Sequence, residues 1–237
     1  MDIEAYWDTI DLKSDELFDK GFIKLPSIKL LNIKLDTVIK NILHEMGDKT
    51  YSELDSTHKK FLNEIGVYDH LSKKLYDFAK NRLSYKGDIK NQYHVARRVV
   101  PGNFKESHRA HFDSHLFTIV IPLQIPEKKN NQDVGDLIFF PNARKSPKIE
   151  LFNLFQKLWY KKYASKDGIK AFSKFNKLHQ ESFTELEPLL FIGNTTLHTN
   201  KLVPGDANCQ RLTLLAHFFD PSPKYGVGSI LRLIRGR

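Results

Sequence analysis

The chain has 237 residues, of which 41% are hydrophobic and 12% aromatic, which is enough for one domain with a packed core. Its single cysteine, Cys209, excludes an intrachain disulfide framework. No run of 18 apolar residues is present, and the acidic, polar start is unlike a signal peptide, so we expect a cytoplasmic protein without a membrane-spanning helix.

The first part of the chain has the apolar spacing of helices. Four segments are predicted to be helical: 13–20, 35–46, 52–64 and 67–83. A short strand is predicted near residues 21–27. We therefore expect residues 1–90 to form a mainly helical part that buttresses a sheet.

Short apolar segments follow from residue 91 onward. Strands are predicted over six segments: 92–100, 109–113, 115–125, 135–140, 188–193 and 209–219. Helices first and strands later are typical of the α+β class. We expect a single domain over residues 1–237, with the sheet core in 91–220, a helical segment in 142–186 and a basic tail in 221–237.

Three residues have the types and the order of a metal site. His111 and Asp113 are two positions apart, and residues i and i+2 of a strand point to the same side. His198 follows far downstream and would come from another strand. Two imidazoles and one carboxylate leave open positions for a co-substrate and O₂, as in non-haem Fe(II) sites. A zinc hydrolase can use similar ligands, but the usual His-Glu-x-x-His signature is absent.

Other histidines could take these places: His108, His115, His179 and His217. Only His111 has a carboxylate two residues on. His198 is preferred as the third ligand because His179 and His217 have the wrong order along the chain, and His179 lies in helix-like sequence.

Arg211 interrupts an otherwise apolar strand, and a charge on a buried strand needs a partner. A ligand carboxylate is one such partner, because the planar guanidinium can bind it through two hydrogen bonds. Thr213, two residues on, would face the same way. An ordinary salt bridge of Arg211 is the alternative.

This ordered set of residues, with the segment GDLIFFPNA between the metal residues, resembles the Fe(II)/2-oxoglutarate-dependent dioxygenases. The opening ELFDKGFIKLPSI is similar to that of the phytanoyl-CoA hydroxylase-like branch. The resemblance covers about residues 11–220. It implies a double-stranded β-helix, the jelly-roll barrel shared with cupins, into which the helical segment 142–186 is inserted.

The resemblance also implies the cofactors Fe(II), 2-oxoglutarate as co-substrate, and O₂. The triad of two histidines and Asp113 would hold the iron and be catalytic. Arg211 and Thr213 would bind the far carboxylate of 2-oxoglutarate, with Thr118 as a further contact. The implied reaction hydroxylates an aliphatic C–H bond and releases succinate and CO₂; Asp113 favours hydroxylation over halogenation, since halogenases have a small residue there.

Three residues are candidates for substrate contact: Arg97, Arg98 and Asn194. Strand alternation allows only one of the two arginines to face the pocket, and either could do so. Asn194 lies shortly before the distal histidine of the triad.

The formal net charge is +9, and it is concentrated in residues 142–180, which hold ten Lys or Arg but only Glu150 and Asp167 as acids. Apolar spacing predicts one amphipathic helix there and a second over 168–180. One interpretation is a helix pair packed on the barrel with a solvated basic face. The other is a basic, aromatic-edged lid that meets an anionic substrate or the anionic inner face of a membrane, aided by the basic tail.

The charge favours an anionic substrate. One candidate is a lipid-linked acidic sugar such as Kdo in lipopolysaccharide or lipid A, by similarity to Kdo 3-hydroxylases; a small free acid, an amino acid or a natural product are the rivals. Nucleic acid is not expected, because the demethylase branch carries a second arginine where His217 stands. A non-catalytic, cupin-like metal-binding module is the alternative from another class, and the oligomeric state is left open.

Overall fold

The computed structural model describes residues 1–53, 56–128, 133–147 and 150–221. Seven α-helices lie within these ranges: α1 (Ile3–Leu12), α2 (Ser14–Lys20), α3 (Leu35–Met46), α4 (Ser56–Glu64), α5 (Ser72–Leu83), α6 (Glu150–Tyr160) and α7 (Lys166–Phe172). The Asp2 carboxylate caps α1 by accepting a hydrogen bond from the backbone N–H of Ala5 at 2.8 Å. Helix α2 ends at Gly21, whose φ of 83° is left-handed and costs little for glycine.

Nine β-strands form two antiparallel sheets in the described part of the chain. The larger sheet has the order β1 (Phe22–Lys24), β7 (Leu189–Ile192), β4 (Phe117–Gln124), β9 (Arg211–Phe218), β3 (Gln92–Val99) and β2 (Tyr51–Glu53). The smaller sheet has the order β6 (His179–Glu181), β5 (Leu137–Phe140) and β8 (Leu197–Asn200). A β-bridge between His111 and His198 adds the segment around residue 111 to the free side of β8.

Alternation along the strands gives the larger sheet two different faces. One face, which includes Phe117 and Leu214, packs in the main core with residues of α1 to α5. The other face turns Val120 and Phe191 towards Phe139 of the smaller sheet, in a second core between the sheets. We call this second face of the larger sheet the inner face.

A third core covers the outside of the smaller sheet. Ile169 and Phe172 of α7 pack there against Ile138 and Phe140 of β5. Helices therefore cover the outer side of each sheet, and the inner face of the larger sheet is turned towards the smaller sheet.

Most of the predicted elements are confirmed. The helix predicted over 35–46 is α3, and those predicted over 13–20, 52–64 and 67–83 correspond to α2, α4 and α5. The combination of helices with antiparallel sheets confirms the α+β class. Closure of the two sheets into a barrel, the single-domain boundaries and the description of 142–186 as an insertion stay predictions. The tail 222–237 lies outside the described residues.

Two predictions were wrong in detail. The strand predicted over 109–113 is reduced to the single bridge at His111, because the chain must turn there to enter β4. The helix predicted over 168–180 ends at Phe172, and His179 begins strand β6 instead. The expectation that His198 comes from another strand is confirmed, since it lies on β8, which pairs with β5 and has all four residues buried.

We predict that Phe117→Ala lowers the free energy of unfolding by about 3–5 kcal/mol, because it removes a fully buried ring from the main core and leaves a cavity. Urea unfolding would measure this change. Leu12→Ala is the control, because Leu12 is exposed at the end of α1 and its loss should change the stability by no more than about 0.5 kcal/mol. Equal effects of the two substitutions would contradict the position of β4 against the helices.

Candidate metal centre

The segment before β4 and strand β8 bring His111, Asp113 and His198 together. The backbones of His111 and His198 exchange two hydrogen bonds, with N–O distances of 3.1 and 3.0 Å. The backbone N–H of Asp113 donates to the carbonyl of Gly193 at 3.3 Å, in the loop after β7. One potential ligand atom from each of the three residues lies within 4.8 Å of the others. The structure thus assembles the three residues that the sequence predicted.

The spacing of these atoms fits a metal ion. Nε2 of His111 lies 3.7 Å from Oδ1 of Asp113, and Nε2 of His198 lies 3.7 Å from Oδ2. Adjacent ligand atoms in an octahedral complex with bonds of about 2.1 Å are about 3 Å apart. Small movements of the side chains would shorten the observed distances of 3.7 Å to this value. Asp113 and His198 are buried, whereas the side chain of His111 is 53% exposed, so the site opens to solvent beside His111.

Backbone carbonyl groups orient both imidazoles. Nδ1 of His111 lies 2.9 Å from the carbonyl oxygen of Arg109, and Nδ1 of His198 lies 3.1 Å from that of Thr196. Because a carbonyl oxygen can only accept a hydrogen bond, Nδ1 carries the proton in each ring. The lone pair of each Nε2 is then available for a metal ion.

Thr118 and His217 hold the carboxylate of Asp113 in place. The hydroxyl of Thr118 donates to Oδ2 of Asp113 at 2.6 Å, and Nδ1 of His217 lies 3.0 Å from the same hydroxyl. Burial acts to raise the pKa of Asp113, but the imidazoles of His198, His217 and His111 and the hydrogen bond from Thr118 outweigh it. The resulting pKa is well below the usual range, so the carboxylate is ionised at neutral pH, as a metal ligand must be.

Arg211 is buried at the start of β9 and forms no ion pair with the residues that the structure describes. Its Nη1 donates to the carbonyl of Gly135, and its guanidinium carbon lies 5.3 Å from the centre of the Phe183 ring. Nε has no hydrogen-bond partner, and no carboxylate of the described residues forms an ion pair with this side chain. Burial lowers the pKa of Arg211, and the nearby charge of Arg97 lowers it further, whereas Asp136 and Tyr51 act in the opposite direction without restoring the usual value. A buried cation that is only partly compensated is costly, so the arginine is ready to receive an anionic ligand.

The register of β3 decides which of the two neighbouring arginines faces the site. Arg97 lies directly opposite Thr213 on β9, so it shares the inner face with Thr213 and Arg211. Arg98 points to the other face, where Nη1 donates to the carbonyl of Gly47 after α3. The charge of Arg97 acts on both Arg211 and the metal residue His111, so Arg97 lies near both of them.

Asn194 lies beside the metal centre and not within the triad. It lines a cavity of about 610 Å³ together with Arg144 and Lys145. Nε of Arg144 donates to the carbonyl of Asn194 at 2.7 Å, and the guanidinium carbon lies 4.0 Å from the centre of the Phe112 ring. Burial lowers the pKa of Arg144 to about 10. No triad residue lines this basic cavity, but Asn194 directly follows Gly193, whose carbonyl accepts a hydrogen bond from the backbone of Asp113.

The sequence pattern did not predict the contacts that surround Asp113. Thr118 was expected to touch 2-oxoglutarate, and its hydroxyl is placed against Asp113 and His217. His217 was considered as a rival ligand, and it lies behind the carboxylate, with Nδ1 3.6 Å from Oδ2. One signal was present: Arg211, Thr213 and His217 have the same parity along β9, so they face the same side.

No family model matches the chain, and no curated protein matches it. Several solved structures share its fold. A prolyl 4-hydroxylase from Phytophthora capsici has a TM-score of 0.57 at 12% identity, covering 99% of this chain and 73% of that one. IDO from Bacillus thuringiensis has a TM-score of 0.53 at 15% identity, covering 90% and 100%. The non-heme alpha-ketoglutarate-dependent carbocyclase SnoK of nogalamycin biosynthesis has a TM-score of 0.51 at 10% identity, covering 86% and 81%.

These likenesses show that the chain shares the fold of these three proteins. Taken with the His-Asp-His triad, they support the resemblance to the Fe(II)/2-oxoglutarate-dependent dioxygenases and the expected cofactors Fe(II), 2-oxoglutarate and O₂. They do not distinguish the phytanoyl-CoA hydroxylase-like branch.

We predict that Thr118→Val weakens binding of a divalent metal ion by about 10–100-fold, because Asp113 loses the hydroxyl that orients it. Calorimetric titration with Co²⁺ or anaerobic Fe²⁺ would measure the affinity. Thr9→Val is the control, since Thr9 bonds within α1 and is remote from the triad in the fold. Unchanged metal affinity in Thr118→Val would show that Asp113 is held by other contacts.

Proposed function

We propose that the protein is an Fe(II)- and 2-oxoglutarate-dependent dioxygenase that hydroxylates an aliphatic C–H bond of an anionic substrate. The observation that carries the proposal is the pairing of two features in one fold. A triad with two oriented imidazoles and an ionised carboxylate lies beside the inner face, and that face holds a buried arginine with no ion pair in the described part of the chain. The proteins that share the fold include a prolyl 4-hydroxylase and an alpha-ketoglutarate-dependent carbocyclase, which supports this class.

The roles of the residues follow from their positions. His111 and His198 would offer Nε2 to iron, and Asp113 would offer a carboxylate oxygen kept ionised by its neighbours. Arg211 would pair with the far carboxylate of 2-oxoglutarate, and Thr213, two residues on, would donate its hydroxyl. Bound iron would supply the activation of O₂, and the protein supplies orientation and a dry inner face.

The inner face of β9 sets the direction of the co-substrate. It runs from Arg211 through Thr213 to His217, which lies beside Asp113. A 2-oxoglutarate chelated at the metal would therefore lie along this strand. The alternative partner for Arg211, an ordinary salt bridge, is not observed among the described residues.

The positive charges around the site favour an anionic substrate. Arg97 faces the inner space next to the metal, and Arg144 and Lys145 line the adjoining cavity with Asn194. Within this class, we propose from the sequence that the substrate is an acidic sugar such as Kdo in lipopolysaccharide. We also propose that the protein belongs to the phytanoyl-CoA hydroxylase-like branch. A small free acid, an amino acid or a natural-product intermediate would satisfy the same charges.

Two other functions use the same triad. In a zinc hydrolase or a non-catalytic cupin-like module, Arg211 would have no dicarboxylate to bind, and its buried charge would remain without a role. The buried charge therefore favours the dioxygenase over both.

We predict that anaerobic addition of Fe(II) and then 2-oxoglutarate produces the weak visible charge-transfer band of the chelate. Asp113→Ala should abolish the band, because the metal loses its carboxylate. Arg211→Met should require at least about tenfold more 2-oxoglutarate, since a charge-assisted pair of hydrogen bonds is lost. Visible spectroscopy would follow each titration.

Arg98→Met is the matched control, because Arg98 has the same charge and lies on the opposite face. It should titrate like the unchanged protein. Absence of a band at saturating Fe(II) and 2-oxoglutarate in the unchanged protein would overturn the dioxygenase proposal.

We also predict that Arg211→Met does not lower the thermal stability of the protein without ligand, because the substitution removes a buried charge that its neighbours compensate only in part. In the unchanged protein, a dicarboxylate such as 2-oxoglutarate should raise Tm, and in Arg211→Met it should not. Calorimetry with and without 2-oxoglutarate would test both statements. A large loss of stability in the variant would indicate that Arg211 has a structural partner.

A further inference from the structure

The segment from α6 to residue 178 exposes large apolar side chains. We call it the aromatic–lysine face, and its apolar members are Phe152, Phe155, Leu158, Trp159 and Phe175. The exposed fractions of Phe155, Trp159 and Phe175 are 62%, 67% and 88%. A cluster of exposed aromatic residues on one short segment marks a surface that binds something.

The other side of α6 is already occupied. Nζ of Lys157 donates to the hydroxyl of Ser114 at 3.0 Å, and Gln156 accepts from Arg144 at 3.2 Å. The hydroxyl of Tyr160 donates to the carbonyl of Ala143 at 3.0 Å, and its ring meets Phe112 edge-on at 4.9 Å. Helix α6 is therefore docked on the protein through its polar side, and the exposed aromatic residues point away from it.

Lysine residues surround the exposed aromatic side chains. The lysines of the aromatic–lysine face are exposed: Lys161, Lys162, Lys166, Lys170, Lys174 and Lys177. Among the described side chains of residues 152–178, only Asp167 is acidic. Nζ of Lys162 lies 4.1 Å from the centre of the Trp159 ring, so charge and aromatic surface are combined in one place.

This chemistry identifies the kind of partner. Interfaces between proteins are depleted in lysine, whereas the surface of an anionic bilayer attracts it. Tryptophan and phenylalanine on a helix with basic neighbours insert at the boundary between headgroups and acyl chains. In the described residues no helix is long and apolar enough to span a bilayer, so contact through this segment would be peripheral.

We propose that the aromatic–lysine face docks on an anionic lipid bilayer and places the metal centre next to that surface. Helix α6 touches Ser114 and Phe112, which adjoin the metal residues Asp113 and His111. The inference rests on the proposed function only in one respect, namely that the anionic substrate would then be presented at the bilayer. Binding itself requires neither iron nor 2-oxoglutarate.

The fluorescence of the two tryptophans can report vesicle binding without an added label. Trp7 is fully buried and hydrogen-bonded to the carbonyl of Ile65, whereas Trp159 is exposed. Addition of vesicles of phosphatidylcholine with phosphatidylglycerol to the metal-free protein should shift the emission of Trp159 to shorter wavelength. Vesicles of phosphatidylcholine alone should not, and added salt should weaken the effect. Co-sedimentation with the same vesicles would give the binding constant.

Paired variants separate the apolar from the charged contribution. Phe152→Ser with Phe155→Ser should weaken vesicle binding by about tenfold or more and keeps Trp159 as the probe. Lys161→Gln with Lys162→Gln should also weaken it by about tenfold or more. Lys59→Gln with Lys60→Gln is the matched control, an adjacent exposed pair on α4, and Leu12→Ser with Leu30→Ser controls for lost apolar surface. Both controls should bind like the unchanged protein.

Three outcomes would overturn the proposal. The first is that the protein does not bind anionic vesicles. The second is that the variants of the aromatic–lysine face and their controls lose the same amount of vesicle affinity. The third is a blue shift of Trp159 emission that depends on protein concentration in the absence of lipid, which would mean that a second copy of the protein covers the face. The Fe(II)–2-oxoglutarate band of the same variants, recorded without vesicles, is measured separately. If the protein forms the band but does not bind vesicles, only the docking proposal is refuted. If it binds vesicles but does not form the band, only the dioxygenase proposal is refuted.

Discussion

The buried carboxylate of Asp113 is the group on which the arrangement of the site depends. A buried carboxylate is tolerated only when hydrogen bonds and opposite charges compensate for lost hydration. Here the hydrogen bond comes from Thr118 on β4, whose hydroxyl is in turn contacted by His217 on β9. The imidazoles of His111 and His198 are neutral when their Nε2 atoms are free to bind metal, so a bound cation would supply the opposite charge that the carboxylate needs.

At the other end of β9 it is a cation, Arg211, that is buried and needs an opposite charge or hydrogen bonds in place of water. Arg211 is enclosed by Phe183 and by the turn at Gly135, where φ is 81° and a side chain would collide with Val203. The glycine lets the turn approach closely, and its carbonyl satisfies one guanidinium nitrogen. Among the described residues, the protein thus keeps a buried cation without an ion pair on the inner face at a cost in stability, which is the usual sign of a binding site and not of a structural ion pair.

The sequence predicted the triad and Arg211 because their chemistry is carried by residue type and order. It also predicted α3 and the long strands β3, β4 and β9, whose apolar periodicity is strong over eight or more residues. It placed His198 on a strand without giving the bounds of β8, and near His111 it predicted a strand where the structure has a single bridge. In both places four or fewer residues are held by neighbouring strands, and their own propensity decides little. The choice between Arg97 and Arg98 required the register of β3 against β9, which pairs Arg97 with Thr213 and is set by long-range contacts.

Helix α6 shows why an amphipathic pattern does not reveal which face is buried. Apolar spacing at Phe155, Leu158 and Trp159 would ordinarily predict the side that packs on the core. In the structure that side is exposed, and the helix is attached through Gln156, Lys157 and Tyr160. A chain gains nothing in stability from leaving aromatic rings in water. Their exposure beside the metal residues, ringed by lysines, is therefore best explained by a second surface that removes them from water, and an anionic bilayer meets both the apolar and the charged requirement.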